Sequence, residues 1–173
     1  MKFNYYALKA IYLHEMDRFR RTLAQSLLSP VLSTSLYFIV FGSVIGGYVQ
    51  KIDGISYGSY IVPGLLMLTL LTQSISNTSF GIFFPKFNGT VYEILAAPIS
   101  TLEIVLAFVG AGATKTLIVG VMIFITATFF VEVEVKHPVL MIFLLVLVSF
   151  TFALFGFLIG LMSSNFEQMS IIP

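Results

Sequence analysis

The side chains that could perform chemistry in this sequence are few and lie far apart. The two histidines, His14 and His137, are separated by most of the chain, and the run HEMD lacks the second histidine of a zinc-protease motif. Glu132 and Glu134 stand in a short polar stretch, which favours a solvated turn over a catalytic carboxylate pair. The sequence contains no cysteine, so it offers no thiolate metal ligand. We predict no catalytic residue and no metal site.

The run GAGATKT at 110–116 ends in the Lys-Thr pair that also ends a phosphate-binding loop. Such a loop needs glycines at two fixed positions before that pair, so that backbone amides can surround the phosphates. Those positions hold Val109 and Thr114, and the run lies inside a long apolar stretch. We therefore predict no cofactor in this chain, and any ATP must be bound elsewhere.

Lys115 is the only charged residue between Glu103 and Glu132. A lysine at the centre of a membrane costs about 2.5–3.5 kcal/mol on insertion scales, which makes it a candidate functional residue. The alternative is that Lys115 lies close to one membrane face and extends its ammonium group to water. Both interpretations stay open, and Lys115 is a possible part of a substrate path.

A polar stripe follows the second apolar stretch of the sequence. Thr69, Gln73 and Ser76 recur at helical spacing and therefore share one helix face. Polar side chains in lipid need partners, so this face should turn towards other helices or a wet cavity. The stripe fits hydrogen bonding between helices and also the lining of a substrate path.

Two pairs of glycines, each four residues apart, predict close helix packing. They are Gly42 with Gly46 and Gly156 with Gly160. Small residues at this spacing let two helix backbones approach each other. The pattern supports packing and identifies no partner.

The composition places these residues in membrane-spanning helices. Hydrophobic residues make up 58% of the 173 residues and charged residues only 10%, whereas a typical soluble domain has about 25% charged residues. About 20 apolar residues in a helix cross the hydrocarbon core. We predict an all-α integral membrane fold, one domain over 1–173, with spans at 22–48, 60–84, 104–131 and 139–163.

The N-terminal residues 4–21 predict an amphipathic helix at the membrane interface. Its apolar side includes Tyr5, Tyr12 and Phe19, with Glu15 at the same helical spacing. Basic residues mark cytoplasmic segments, and this region is rich in them: Lys2, Lys9, Arg18, Arg20 and Arg21. The N-terminus is therefore predicted to be cytoplasmic, and with four spans the segment 85–100 lies on the same side.

The segment 85–100, PKFNGTVYEILAAPIS, predicts a short amphipathic helix at about 88–97 between Pro85 and Pro98. Asn88 can cap this helix, and a merely solvated loop would need no apolar face. We predict that the segment docks on a partner. Its candidate docking residues are Asn88, Thr90, Val91, Glu93, Ile94, Leu95 and Pro98, with Val91, Ile94 and Leu95 as the apolar face.

The order of these features resembles the membrane-spanning permease subunit of ABC-2 type exporters. The resemblance covers essentially the whole chain and is strongest in LYFIVFGSVIG at 36–46, SYIVPGLLMLTLLTQS at 59–74 and FPKFNGTVYEILAAPISTLEI at 84–104. The last stretch resembles the family's cytoplasmic segment before the third span. The residues at matching places are Phe84, Gly89, Thr90, Glu93, Leu95, Ala97 and Pro98.

The resemblance implies six membrane helices, a cytoplasmic coupling helix, and two permeases paired with two separate ATPase subunits. We therefore expect a permease subunit in the cytoplasmic membrane that forms a substrate path and performs no hydrolysis. The ATPase partner would bind ATP and magnesium. Only four spans are present, so we expect the chain to be truncated, with two further spans after Pro173. The other expected partners are a second permease copy and membrane lipid, and no nucleic acid is expected.

Two other classes of function remain open from the sequence. An ion-gradient-driven secondary transporter or channel would need acidic residues or broken helices near the membrane midplane, and the spans contain no Asp or Glu at mid-depth. A non-transporting membrane scaffold could gather partners through the glycine faces. The transported substrate does not follow from any pattern in the sequence.

Overall fold

The computed structural model of the chain describes residues 3–45, 51–52, 54–133 and 135–171. Within these residues the backbone is helical except for short connections and one small strand pair. Strands β1 (Lys51–Ile52) and β2 (Ile55–Ser56) are antiparallel. The helices are α1 (Tyr5–Arg21), α2 (Leu23–Tyr37), a π-helical segment (Phe38–Ile45), α3 (Tyr57–Asn88), α4 (Val91–Ala96), α5 (Thr101–Phe130), α6 (Pro138–Met162) and α7 (Phe166–Ile171).

Four helices of the described chain are long and apolar enough to cross a membrane: Leu23–Phe41, Tyr57–Asn88, Thr101–Phe130 and Pro138–Met162. They confirm the all-α integral membrane class. The 32 residues of α3 and the 30 of α5 give lengths of about 48 and 45 Å at about 1.5 Å per residue. Because the hydrocarbon core is about 30 Å thick, both helices extend beyond it.

Two predicted helix ends differ from the observed ones. We expected Pro85 to end the second span, but α3 continues through it to Asn88. The helix ends instead at Gly89, whose φ of 80° lies in the left-handed region that favours glycine. The first span was predicted as one helix, whereas α2 ends at Tyr37 and continues as the π-helical segment.

The core is built from α3, α5 and α6. Gly112 of α5 lies against Thr78 and Gly120 lies against Leu70, so α5 runs antiparallel to α3. The α6 helix runs parallel to α3, because Gly156 lies against Ile75 and Gly160 lies against Ser79. Where α3 and α6 both end, the Nζ of Lys86 donates hydrogen bonds to the carbonyls of Leu161 (2.6 Å) and Ser163 (2.8 Å).

The contact between α3 and α6 depends on the two glycines of α6. A Cβ atom on Gly156 would lie 2.5 Å from the carbonyl oxygen of Ile75, and one on Gly160 would lie 2.6 Å from that of Ser79. The packing role of these two glycines remains a prediction that substitution can test. Gly46 lies outside the described residues, so the pair that it forms with Gly42 is not described either.

The N-terminal helix α1 packs along the first half of α5 and runs in the same direction. The backbone amide of Asn4 donates a hydrogen bond to the carboxylate of Glu103. Further along, the hydroxyl of Tyr12 donates to Oγ1 of Thr114 at 3.0 Å. Thus α1 is fixed to the third span, and its predicted place at the membrane interface remains a prediction.

Candidate functional site

The predicted docking helix exists as α4, but it is shorter than expected. We predicted residues 88–97 with Asn88 as the cap, whereas α4 comprises Val91–Ala96 and Asn88 is the last residue of α3. The position before the helix is occupied by Thr90, whose side chain forms no capping hydrogen bond. Gly89 causes the difference, because its left-handed backbone ends α3 and leaves too little chain for a longer second helix.

The α4 helix has an outer and an inner side. Tyr92 is 73% exposed and Leu95 is 62% exposed, so both point away from the rest of the protein. Ile94 is half-buried and packs against the core. Of the predicted docking residues Val91, Ile94 and Leu95, only Leu95 is exposed, and Tyr92 joins it on the outer side. The docking role of these residues remains a prediction.

Ile94 contacts a core cluster to which several helices contribute. The buried members of this cluster are Ile82, Phe108, Val109, Ala113, Ala153 and Phe157, which come from α3, α5 and α6. Ile11 of α1 packs against the same cluster. A displacement of α4 would consequently reach α1, α3, α5 and α6 through packed side chains.

The connection from α4 to α5 is held by a capping box. Glu103 Oε2 accepts a hydrogen bond from the backbone amide of Ser100 at 2.6 Å, and Ser100 Oγ accepts one from the amide of Glu103 at 3.4 Å. The side-chain amide of Asn4 also donates to the carbonyl of Pro98 at 3.4 Å. Sequence reasoning missed Glu103 as a positioning residue, although the spacing S-x-x-E at 100–103 is the signature of such a box.

Lys115 belongs to a charged cluster, which we define as Glu15, Arg18 and Lys115. Glu15 Oε2 lies 2.8 Å from Lys115 Nζ and 2.9 Å from a guanidinium nitrogen of Arg18. Lys115 is 3% exposed and Glu15 is 2% exposed. The interpretation in which Lys115 extends to water is therefore wrong, since its ammonium group turns towards α1. In the sequence, Glu15 lies on the apolar side of α1, and this position is the only indication that its carboxylate is buried.

The backbone of α3 lies directly against this charged cluster. A Cβ atom on Gly81 would lie 3.4 Å from Glu15 Oε2 and 3.9 Å from a guanidinium nitrogen of Arg18. These separations are those of ordinary van der Waals contact. The charged cluster therefore joins α1 to α5 where both pass α3.

A cleft of about 280 Å³ opens beside the charged cluster. Of the four predicted path residues, Ser76 and Lys115 line it. The hydroxyl of Thr69 instead donates to the carbonyl of Leu65 in its own helix, and Gln73 Oε1 accepts from Asn77 Nδ2 at 3.4 Å. The complete lining is Arg18, Phe19, Thr22, Ser26, Ser76, Asn77, Phe80 and Lys115.

The comparison with known proteins agrees with this fold. The model of the family described as "ABC-2 type transporter" matches residues 6–173. The chain belongs to the ABC-2 type transporter family, as its sequence motifs indicated.

Individual relatives are membrane proteins of enteric bacteria. The chain is 37% identical over 167 residues to the inner membrane transport permease YadH of Escherichia coli strain K12, and the values are the same for the YadH proteins of E. coli O157:H7 and Shigella flexneri. The alignment covers 96% of this chain and 65% of each relative. No solved structure shows a significant match. The predicted membrane location is confirmed by the four helices and by these inner membrane relatives.

Proposed function

We propose that this chain is the permease part of an ATP-driven ABC-2 exporter and that α4 docks on a separate ATPase subunit. The observation that carries this proposal is the division of α4 into two sides. Tyr92 and Leu95 are exposed, while Ile94 packs on the core cluster shared by α1, α3, α5 and α6. A helix of this kind can receive a force at its outer side and deliver it to the spans.

The outer side of α4 has the chemistry of a protein contact. Exposed aromatic and large apolar side chains that stand together favour an interaction surface, and aromatic anchors dominate binding energy at such surfaces. Glu93 is exposed beside them and can pair with a basic residue of the partner. The excess of basic residues in α1 supports a cytoplasmic position for this end of the molecule, where an ATPase would be available.

In the proposed mechanism, a movement of the ATPase subunits is transmitted through α4 to the membrane helices. ATP and magnesium are bound by the ATPase subunits, and closure of the ATPase dimer displaces α4. The displacement reaches α3 through the short turn at Gly89 and reaches α5 through residues 97–100 and their capping box. The spans then tilt and alter a substrate path formed with a second permease copy. Thr69, Gln73, Ser76 and Lys115 remain the proposed residues of that path.

The test is co-purification from the native membrane in mild detergent, with Mg-ATP hydrolysis of the eluate as the readout. The unaltered protein should bring ATPase activity with it. Leu95→Asp places a charge in the proposed contact and should lower the retained activity at least about tenfold, since loss of a central contact residue costs about 2 kcal/mol or more. Leu95→Met keeps an apolar side chain of similar size and should retain the activity.

Two results would contradict the docking role of α4. One is an unaltered protein that purifies without ATPase activity. The other is a Leu95→Asp variant that keeps as much ATPase activity as Leu95→Met. Because Leu95 is exposed, neither variant should change the thermal unfolding of the permease itself.

A further inference from the structure

The cleft beside the charged cluster shares Ser76 and Lys115 with the proposed substrate path, but the rest of its lining has no role in the proposed function. Arg18 and Lys115 bring two cationic groups to it, and Phe19 and Phe80 provide apolar walls. The remaining lining consists of hydroxyl and amide side chains, from Thr22, Ser26, Ser76 and Asn77. A cavity with cations, hydroxyl donors and aromatic walls suits an amphiphilic anion.

The charges of the cluster leave a surplus of one positive charge. Arg18 and Lys115 are both paired with one carboxylate oxygen of Glu15. A guanidinium group carries five N–H donors and an ammonium group carries three. The contact with Glu15 uses one nitrogen of Arg18, so the other donors of its guanidinium can bind the oxygens of an anion.

The position of the cleft along the helices matches the level of lipid headgroups. Lys115 lies about 21 Å from the start of α5 at about 1.5 Å per residue. Thr22 and Ser26 of the lining stand at the start of the candidate span Leu23–Phe41. The part of α3 from Tyr57 to Ser76 is about 29 Å long, close to the thickness of the hydrocarbon core. Ser76 and Phe80 lie about 18 and 12 Å from the end of α3 by the same measure. The cleft therefore stands at the edge of the hydrocarbon layer on the side of α4.

We propose that the cleft binds a phosphate group, and that an anionic phospholipid supplies it. Arg18 and Lys115 would bind the phosphate oxygens, with hydroxyl groups such as that of Ser76 donating further hydrogen bonds. Phe19 and Phe80 would contact the first carbons of the lipid. A free phosphate ion shares the oxygen chemistry, and the aromatic walls favour the lipid. Basic pockets between helices at the cytoplasmic level bind anionic headgroups by the same chemistry.

The test measures binding of phosphatidylglycerol, with phosphatidylcholine as the zwitterionic comparison, to the protein purified in a neutral detergent. Arg18→Gln should weaken phosphatidylglycerol binding about tenfold, which corresponds to one lost charge-assisted hydrogen bond. Arg20→Gln is the matched control. Arg20 also pairs with an acid three residues away, but its side chain is 81% exposed and it does not line the cleft. That variant should change binding less than about twofold.

A second variant tests the cleft without changing the ion pair between Arg18 and Glu15. Ser76→Leu fills the cleft without a change of charge and should also weaken binding of phosphatidylglycerol. Inorganic phosphate is tested alone, and binding of it that Arg18→Gln abolishes, with no phosphatidylglycerol bound, would assign the site to free phosphate. Equal losses in Arg18→Gln and Arg20→Gln, or equal binding of both lipids, would overturn the proposal.

Discussion

At the scale of single residues, Lys115 and Glu15 form a buried ion pair on which the stability of the fold depends. Each ion loses its hydration when it is buried, and the opposite charges of the cluster compensate for that loss. Removal of one partner from a buried pair destabilises proteins by about 3–5 kcal/mol, whereas replacement of both is often nearly neutral. Together with the hydrogen bonds of Asn4 and Tyr12, the pair also holds α1 against the third span.

We therefore expect Lys115→Met alone to destabilise the protein strongly, because it leaves Glu15 buried with only Arg18 as a partner. The double variant Glu15→Gln with Lys115→Met should recover most of the loss. Thermal unfolding in detergent measures both. Arg20→Gln, which breaks the exposed pair with Asp17, is the control and should change stability by less than about 1 kcal/mol. Strictly additive losses in the double variant would contradict a coupled pair.

The sequence indicated that Lys115 is unusual but could not supply its partner. The two residues of the pair are 100 positions apart, and no local pattern states that α1 packs along α5. The carboxylate of Glu15 in an apolar stripe was a sign of burial, but amphipathic helices at an interface show the same pattern. Only the three-dimensional packing distinguishes the two cases.

At the scale of helices, the glycines of α6 determine how close that helix comes to α3. Gly156 and Gly160 lie against backbone atoms of Ile75 and Ser79, which cannot rotate away as a side chain can. Any added carbon must push the two helices apart. Gly64 of α3 provides a contrast, because a Cβ atom there would have no neighbour within 4 Å.

Substitution by alanine should consequently lower the stability of the fold at Gly156 and Gly160 but not at Gly64. Gly156→Ala and Gly160→Ala should each lower the free energy of unfolding by about 1–3 kcal/mol, the usual cost of overpacking. Gly64→Ala should be neutral or stabilise by up to about 1 kcal/mol, since alanine favours the helix. Denaturant unfolding in detergent measures the differences. A loss for Gly64→Ala as large as that for Gly156→Ala would show that backbone approach is not the cause.

The sequence predicts which segments form the membrane helices, but it predicts the ends of those helices less well. Long apolar runs predict spans because an α-helix satisfies all of its backbone hydrogen bonds within the segment, as a membrane requires. Pro85 predicts an end of the second span three residues before the observed end of α3, which Gly89 determines. A proline removes one backbone donor but can be accommodated, whereas a glycine with a left-handed backbone directs the chain out of the helix.

At the scale of the whole molecule, the proposed docking role requires α1 and α4 to face the cytoplasm. The absence of cysteine from the 173 residues makes a direct test possible, because single cysteines can be introduced without background. Tyr92 of α4 is exposed, and Lys136 is exposed in the connection between α5 and α6. These two positions lie at opposite ends of α5.

We expect Tyr92→Cys to react with a membrane-impermeant thiol reagent only after the cells are opened. Lys136→Cys should react in intact spheroplasts, because the proposed orientation requires the connection that contains it to face outwards. The measured quantity is the labelled fraction of each variant under the two conditions. The reverse pattern would place α4 outside the cell and would rule out its contact with an ATPase.

The pair of Glu15 and Lys115 also has a consequence during synthesis. Lys115 leaves the ribosome 100 residues after Glu15, which takes about 5–20 s at about 5–20 residues per second. Throughout that interval α1 has its carboxylate but not the ammonium group that it needs for burial. We therefore expect α1 to reach its final position against α5 only after the third span has been made.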